Sequence, residues 1–256
     1  MSATVPPLSR PRSGGVSVEI AAHLERLIAA GELAPGARLP AERELATSLE
    51  VSRGSIREAL QELGSKHLVE RVQGRGTVVA SVPPHVTALH RGLGETAQEL
   101  ADVAELRAVV EPRIAEFAAL RATSSDLLQL AEILQATTDG ILAAESLRLD
   151  VEFHSALARA SQNPLLATVN TVACSWTGDV RRRSHTTRRA RRISAHGHRA
   201  IFAAVRARDG AAASRAMVEH LGDVAALTRA ATAREATEDT RGPGRPPAEG
   251  DQEDTR

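Results

Sequence analysis

The sequence predicts a mainly α-helical protein in two parts: three short helices and a small β-hairpin over residues 16–80, then an all-helical bundle over 97–232. Three observations carry this. Apolar residues recur at three- and four-residue spacing through most of the chain, the signature of amphipathic helices. The stretch that favours strands is LVERVQGRGTVVA, two short β-branched runs around a Gly-containing turn. Between the two parts, SVPPHVTALHRGLGE holds two prolines and two glycines that resist a continuous helix, which makes 81–96 a linker.

Residues 1–15 are rich in Pro, Ser, Gly and Arg and are expected to be disordered. Ser17 is the candidate N-cap of a first helix with Ile20, Leu24, Leu27 and Ile28 on one face, stopped at Gly31. A second helix starts near Ala41 with Leu45, Ala46 and Leu49 inward. A third follows Ser52 with Ile56, Ala59, Leu60 and Leu63 inward, and Gly74 and Gly76 turn the hairpin. Beyond the linker the pattern predicts helices over about 99–121, 125–138, 141–161, 164–184, 190–208 and 211–231. The tail, 233–256, is acidic and poor in apolar residues, and is read as unstructured.

Composition narrows the functional classes. Lys+Arg and Asp+Glu both number 32, so total charge speaks neither for nor against nucleic acid, and charge placement must decide. The single cysteine, Cys174, excludes a disulfide scaffold and a cysteine-based zinc cluster and fits a reducing, cytoplasmic setting. No apolar run reaches membrane-spanning length, and the opening MSATVPPLSRPRSGG lacks the apolar core of a signal peptide. Lys66 is the only lysine; arginine supplies the remaining formal positive charge.

The segment LPAERELATSLEVSRGSIREALQEL has helix, tight turn, helix spacing. Its second helix carries Ser52, Arg53, Ser55 and Arg57 in the first turn and a half. Free N–H groups and the positive dipole end suit phosphate there, and arginines can fork onto guanine edges in the major groove. The serines can reach phosphate oxygens. A solvated amphipathic helix is the competing explanation, and 8 basic against 9 acidic residues over 16–80 do not decide between them.

The motifs decide. LPAERELA, VSR, IREAL and LVERVQGRGTVV resemble the winged helix-turn-helix of the GntR family of bacterial regulators over about 65 residues. The resemblance implies double-stranded DNA as partner, with Arg43, Ser52, Arg53, Gly54, Ser55 and Arg57 as contacts and Gln73 and Gly74 at the wing tip. His67, next to Lys66, departs from the family, which usually has glycine there to supply a left-handed helix end.

The C-terminal half presents polar residues on apolar helix faces. Asp150 and His154, one turn apart in DVEFH, lie among Leu147, Val151 and Leu157. His198 opens a stripe with Ile201, Phe202 and Val205, and His220 shares one with Met217, Leu221, Val224 and Leu227. One carboxylate and three imidazoles suit a divalent first-row metal such as zinc, nickel or manganese. A core histidine satisfied by an ordinary partner is the alternative for each.

LRAVVEPRIAEFAA, DVEFHSALARASQNP, HRAIFAAVRARD and MVEHL are similar to the FCD-type ligand-binding domain of the FadR-like subfamily. That resemblance implies metal ligation by Asp150, His154, His198 and His220, with the metal helping to hold a small organic acid. Gly197 departs from the pattern, which usually has glutamate before the third histidine, and nearby His196 is a substitute ligand.

Arg107, on a stripe with Val103, Val110, Ile114 and Phe117, can clamp an acidic effector or pair internally with Glu111. RRRSHTTRRARR (181–192) packs seven arginines into twelve residues, and Arg183 follows Val169, Trp176 and Val180 at helical spacing as the inward member, a second effector-binding candidate. RGPGRPP (241–247) faintly resembles minor-groove hook peptides.

The expected function is therefore a transcriptional regulator, a repressor by the commoner family behaviour, working as a homodimer on a palindromic operator. A small carboxylate and a divalent metal modulate it. A metal-responsive regulator and a metal-dependent hydrolase are the alternatives, but no separate general base or nucleophile has convincing spacing, so the chain is not expected to be an enzyme.

Overall fold

The computed structural model describes residues 5–7, 15–80, 97–176, 181–182 and 184–239. The head consists of α1 (Val16–Ala29), α2 (Glu42–Ser48), α3 (Arg53–Ser65), β1 (Val69–Val72) and β2 (Gly76–Val79). β1 and β2 pair antiparallel from Val69–Val79 to Val72–Gly76, and Gly74 and Gly76 take the positive φ that their turn requires. Ile20, Leu24, Leu45, Ile56, Leu63 and Val79 close one core at 1% exposure or less.

Three details differ from the sequence expectation. Gly15, not Ser17, stands at the N-cap of α1. Val5 packs into the head core, and the Pro6 carbonyl faces His23 Nε2 at 2.9 Å, so part of 1–15 is anchored. α7 (Pro164–Trp176) forms the start of the helix expected over 164–184, of which 177–180 and Arg183 lie outside the described residues. The last helix, α9 (Gly210–Asp239), runs past residue 232. The linker 81–96, Arg183 and 240–256, including RGPGRPP, lie outside the described residues.

His67 has φ 56°, so it accepts the left-handed geometry at a typical cost of about 1–2 kcal/mol for a non-glycine residue. The end of α3 shows what holds it there. Leu68 N–H donates to the Leu63 carbonyl and His67 N–H to that of Gly64, both at 3.0 Å, a Schellman closure.

The second domain contains α4 (Ala97–Arg121), α5 (Ser124–Ala136), α6 (Ala143–Ala160), α7, α8 (Arg188–Arg206) and α9. α9 packs along α4 and α8, while α6 packs against α4, α5 and α7. Its core centres on Ile114, Leu130, Phe153, Leu157, Ile201, Val205 and Met217. Pro112 lies inside α4 without ending it. α1 of the head rests against α5.

Candidate metal centre and DNA-reading head

α6, α8 and α9 bring Asp150, His154, His198 and His220 together. Each offers a ligand atom, all these atoms lie within 4.8 Å of one another, and all four residues are buried. His198 Nε2 is 3.3 Å from both His154 Nε2 and Asp150 Oδ1, and His154 Nε2 is 3.8 Å from that oxygen. Donors about 2.1 Å from a small divalent ion stand about 3 Å apart, so these separations fit one. The inward face of α6 is Leu149, Phe153 and Leu157 rather than the expected Leu147 and Val151, which are half-buried.

Each ring is held by its surroundings. The Phe153 ring stacks on His198 with centroids 4.2 Å apart. His154 Nδ1 faces the Glu111 carboxylate at 2.9 Å, which directs Nε2 into the cluster, the usual way a ligand histidine is oriented. His220 has two buried ring nitrogens without a hydrogen-bond partner among the described residues. Leaving both unsatisfied is costly, and a metal bond at either relieves that atom.

Gly197 explains its own departure from the family pattern. A Cβ there would stand 2.5 Å from His220 Nδ1 and 3.0 Å from two ring-side carbons, so only glycine lets this ring lie against α8. His196 is exposed and outside the cluster.

Electrostatics leave the donors in ligand form. Burial pushes the His198 imidazole down to about 4 and His220 well below its ordinary range, so both are neutral at neutral pH. Burial raises the Asp150 carboxyl, but Arg181 and the hydrogen bonds of His185 and His198 outweigh it and hold the group well below its usual value. Glu111 is likewise raised by burial and lowered further by Arg107, His154 and Arg181.

Arg181 ion-pairs with Asp150 Oδ2 and lies 3.8 Å from Glu111 Oε1. Arg107 Nε donates to Glu111 Oε1 at 2.5 Å, the internal pair weighed as its alternative role. The sequence pattern did not single out Arg181, His185, Ser194 or Ser146. His185 Nε2 is 3.4 Å from Asp150 Oδ1, to which the Ser194 hydroxyl donates at 3.3 Å, and Ser146 Oγ meets His185 Nδ1 at 2.8 Å. Ser146 lies four before Asp150 and Ser194 four before His198, a same-face spacing that points to them. Arg181 had no such signal among seven arginines.

In the head, α3 starts at an N-cap Ser52 whose hydroxyl accepts from Ser55 N–H at 3.0 Å and meets Ser55 Oγ at 2.9 Å. Ser52 thus organises the helix start, and its oxygen is already engaged. Arg43, Arg53, Gly54 and Arg57 are exposed, with Ser55 half-buried and Gln73 and Gly74 exposed at the hairpin tip. Glu42 lies 3.5 Å from Arg57 Nε and 2.8 Å from Arg71 Nη2, tying α2, α3 and β1 together.

Residues 16–79 match the "Bacterial regulatory proteins, gntR family" domain and residues 102–223 the FCD domain. The HTH-type transcriptional repressor NanR of Klebsiella aerogenes is 30% identical over 232 residues, 88% of this chain and 88% of that protein. The chain belongs to the GntR family of bacterial transcriptional regulators. The galactonate operon transcriptional repressor of Escherichia coli is 31% identical over 75% of this chain and 88% of its own length. Among solved structures, Streptococcus agalactiae GntR is 33% identical, covers 83% of this chain and 99% of that one, and superposes with a TM-score of 0.48. This GntR-family protein is a DNA-binding transcriptional regulator with an FCD domain, and not an enzyme. No described helix is long and apolar enough to cross a membrane.

Proposed function

We propose that this regulator is a homodimeric repressor of a palindromic operator, released by a small organic acid bound in the helical domain beside a divalent metal. The observation that carries the reading is His220: a buried imidazole with neither nitrogen hydrogen-bonded among the described residues, facing two further imidazoles and a carboxylate. Asp150, His154, His198 and His220 would hold the ion. When bound, it supplies a positive seat for a carboxylate oxygen.

Charge balance supports an anionic effector. Asp150 and Glu111 are matched by Arg181 and Arg107, so the centre is neutral before any ion arrives. A divalent ion among neutral imidazoles adds positive charge that an acid compensates. Arg107 and, outside the described residues, Arg183 are the candidate effector clamps. One relative is named for the galactonate operon, and galactonate is a sugar acid.

The alternative with the ion itself as signal is favoured by burial: the four ligand residues are 1–4% exposed. Thermal unfolding with and without chelator, across a panel of small carboxylic acids, tests both, because ligands of the native state raise the midpoint by mass action. The effector reading expects a midpoint lowered by chelation and raised by one acid only in the metal-loaded protein. Operator affinity that responds to the metal and to no acid of the panel identifies the ion as signal. A midpoint indifferent to chelator and acids refutes the metal centre.

A further inference from the structure

The two domains meet through charge, and the chain's only lysine is at the centre. Lys66, the C-cap of α3, places Nζ 2.9 Å from Glu25 of α1, 3.1 Å from Glu62 of α3 and 2.7 Å from Asp126 of α5. It also donates to Ser125 Oγ at 3.0 Å. The side chains of Lys66, Glu25 and Asp126 are 1% exposed or less. Thr123 Oγ1 donates to Glu62 at 2.6 Å, and Gln162 Nε2 to Asp126 at 3.0 Å. Arg159 Nε donates to Glu25 at 2.6 Å. On the rim, Arg26 of α1 pairs with Glu132 of α5.

Arg159 lies on α6, the helix that carries Asp150 and His154. Arg159 stands five positions after His154, about 7.5 Å along a helix axis. Hydrogen bonds weaken steeply beyond about 3.2 Å, and a buried charge that loses its partner is expensive. A small displacement of α6 therefore either breaks the Arg159–Glu25 pair or takes α1 with it. Glu25 also holds Lys66 at the end of the DNA-reading helix, so moving α1 moves α3.

We propose that the Lys66 cluster is a rigid joint that makes head and effector domain one body, and that α6 carries a displacement at Asp150 and His154 through Arg159 into the recognition helix. The route through α6 rests on the metal reading above; the joint does not.

Urea unfolding tests the joint without metal. Trp176, the sole tryptophan, reports the effector domain, while far-UV circular dichroism reports both. The wild type is expected to give coincident transitions, and Lys66→Met an earlier circular-dichroism step for the head. Coincident transitions in Lys66→Met overturn the joint. Where Lys66→Met does not fold, Arg159→Gln, at the rim, takes its place under the same criteria.

The route is tested with zinc alone and an operator duplex selected by the protein from random DNA. Zinc is expected to change wild-type operator affinity, and Arg159→Gln to shrink that change at least three-fold while binding zinc within two-fold of wild type. An undiminished change, or zinc that binds the wild type without altering operator affinity, overturns the route. A wild type that binds no zinc refutes the metal reading and with it this route, and the urea experiment still decides the joint.

Discussion

Gly197 shows how one missing carbon shapes the centre. In a helix, Gly→Ala gains about 1 kcal/mol of propensity, but here the added methyl meets the His220 ring at 2.5 Å. The collision wins where it matters for ligation. Gly197→Ala is expected to keep helix content by circular dichroism while weakening zinc binding about 10- to 100-fold by calorimetric titration, the range for residues that orient ligands. Unchanged affinity would show that the ring moves away freely. At this scale the sequence was legible where a polar residue broke an apolar stripe, as for Asp150, His154, His198 and His220. It was silent about Arg181, because burial of one arginine among seven depends on how α6, α7 and α8 meet, which no local pattern records.

The recognition helix is organised at its first turn. Ser52 caps α3 through Ser55 N–H, so Ser52→Ala is expected to cost about 1 kcal/mol of stability, read by urea unfolding. Arg53 is exposed on the same turn, and Arg53→Ala is expected to cost about 1–3 kcal/mol of operator binding at fixed salt with unfolding unchanged. Unchanged operator affinity would misplace the reading face. Helix existence was legible, since apolar spacing alone found every long helix among the described residues. Ends were less so. Gly15 took the cap expected of Ser17, and α9 continues past residue 232 into a stretch whose acidic, apolar-poor composition pointed to no helix.

For the molecule as a whole, two apolar cores are bridged by a polar junction. Lys66→Met leaves buried carboxylates without their cation, a loss of about 3–5 kcal/mol. Burial lowers the Lys66 ammonium, but Glu25 and Asp126 outweigh it and raise it above its ordinary value. Glu25, raised by burial, is lowered further by Arg159 and Lys66. A raised cation contributes fully below its unfolded value of 10.5 and loses that only in strong alkali. Depressed carboxylates contribute above about 4.5 and lose it on further acidification. The wild-type advantage over Lys66→Met is thus expected to be flat from pH 6 to 9 and to shrink below about pH 4.5, read as midpoint differences. A steady decline between pH 9 and 6 would contradict the assignment. The two-part plan was legible from the linker and hairpin, but the junction was not, because its partners lie up to 134 positions apart.

One consequence of that junction concerns reactivity. The sole lysine is enclosed, ion-paired and held protonated, so the folded protein offers acylating reagents no side-chain amine. Acetyl donors and amine-directed crosslinkers should pass over Lys66 until head and effector domain part. Acylation at that one position would then count opening events, molecule by molecule, in a mass spectrum.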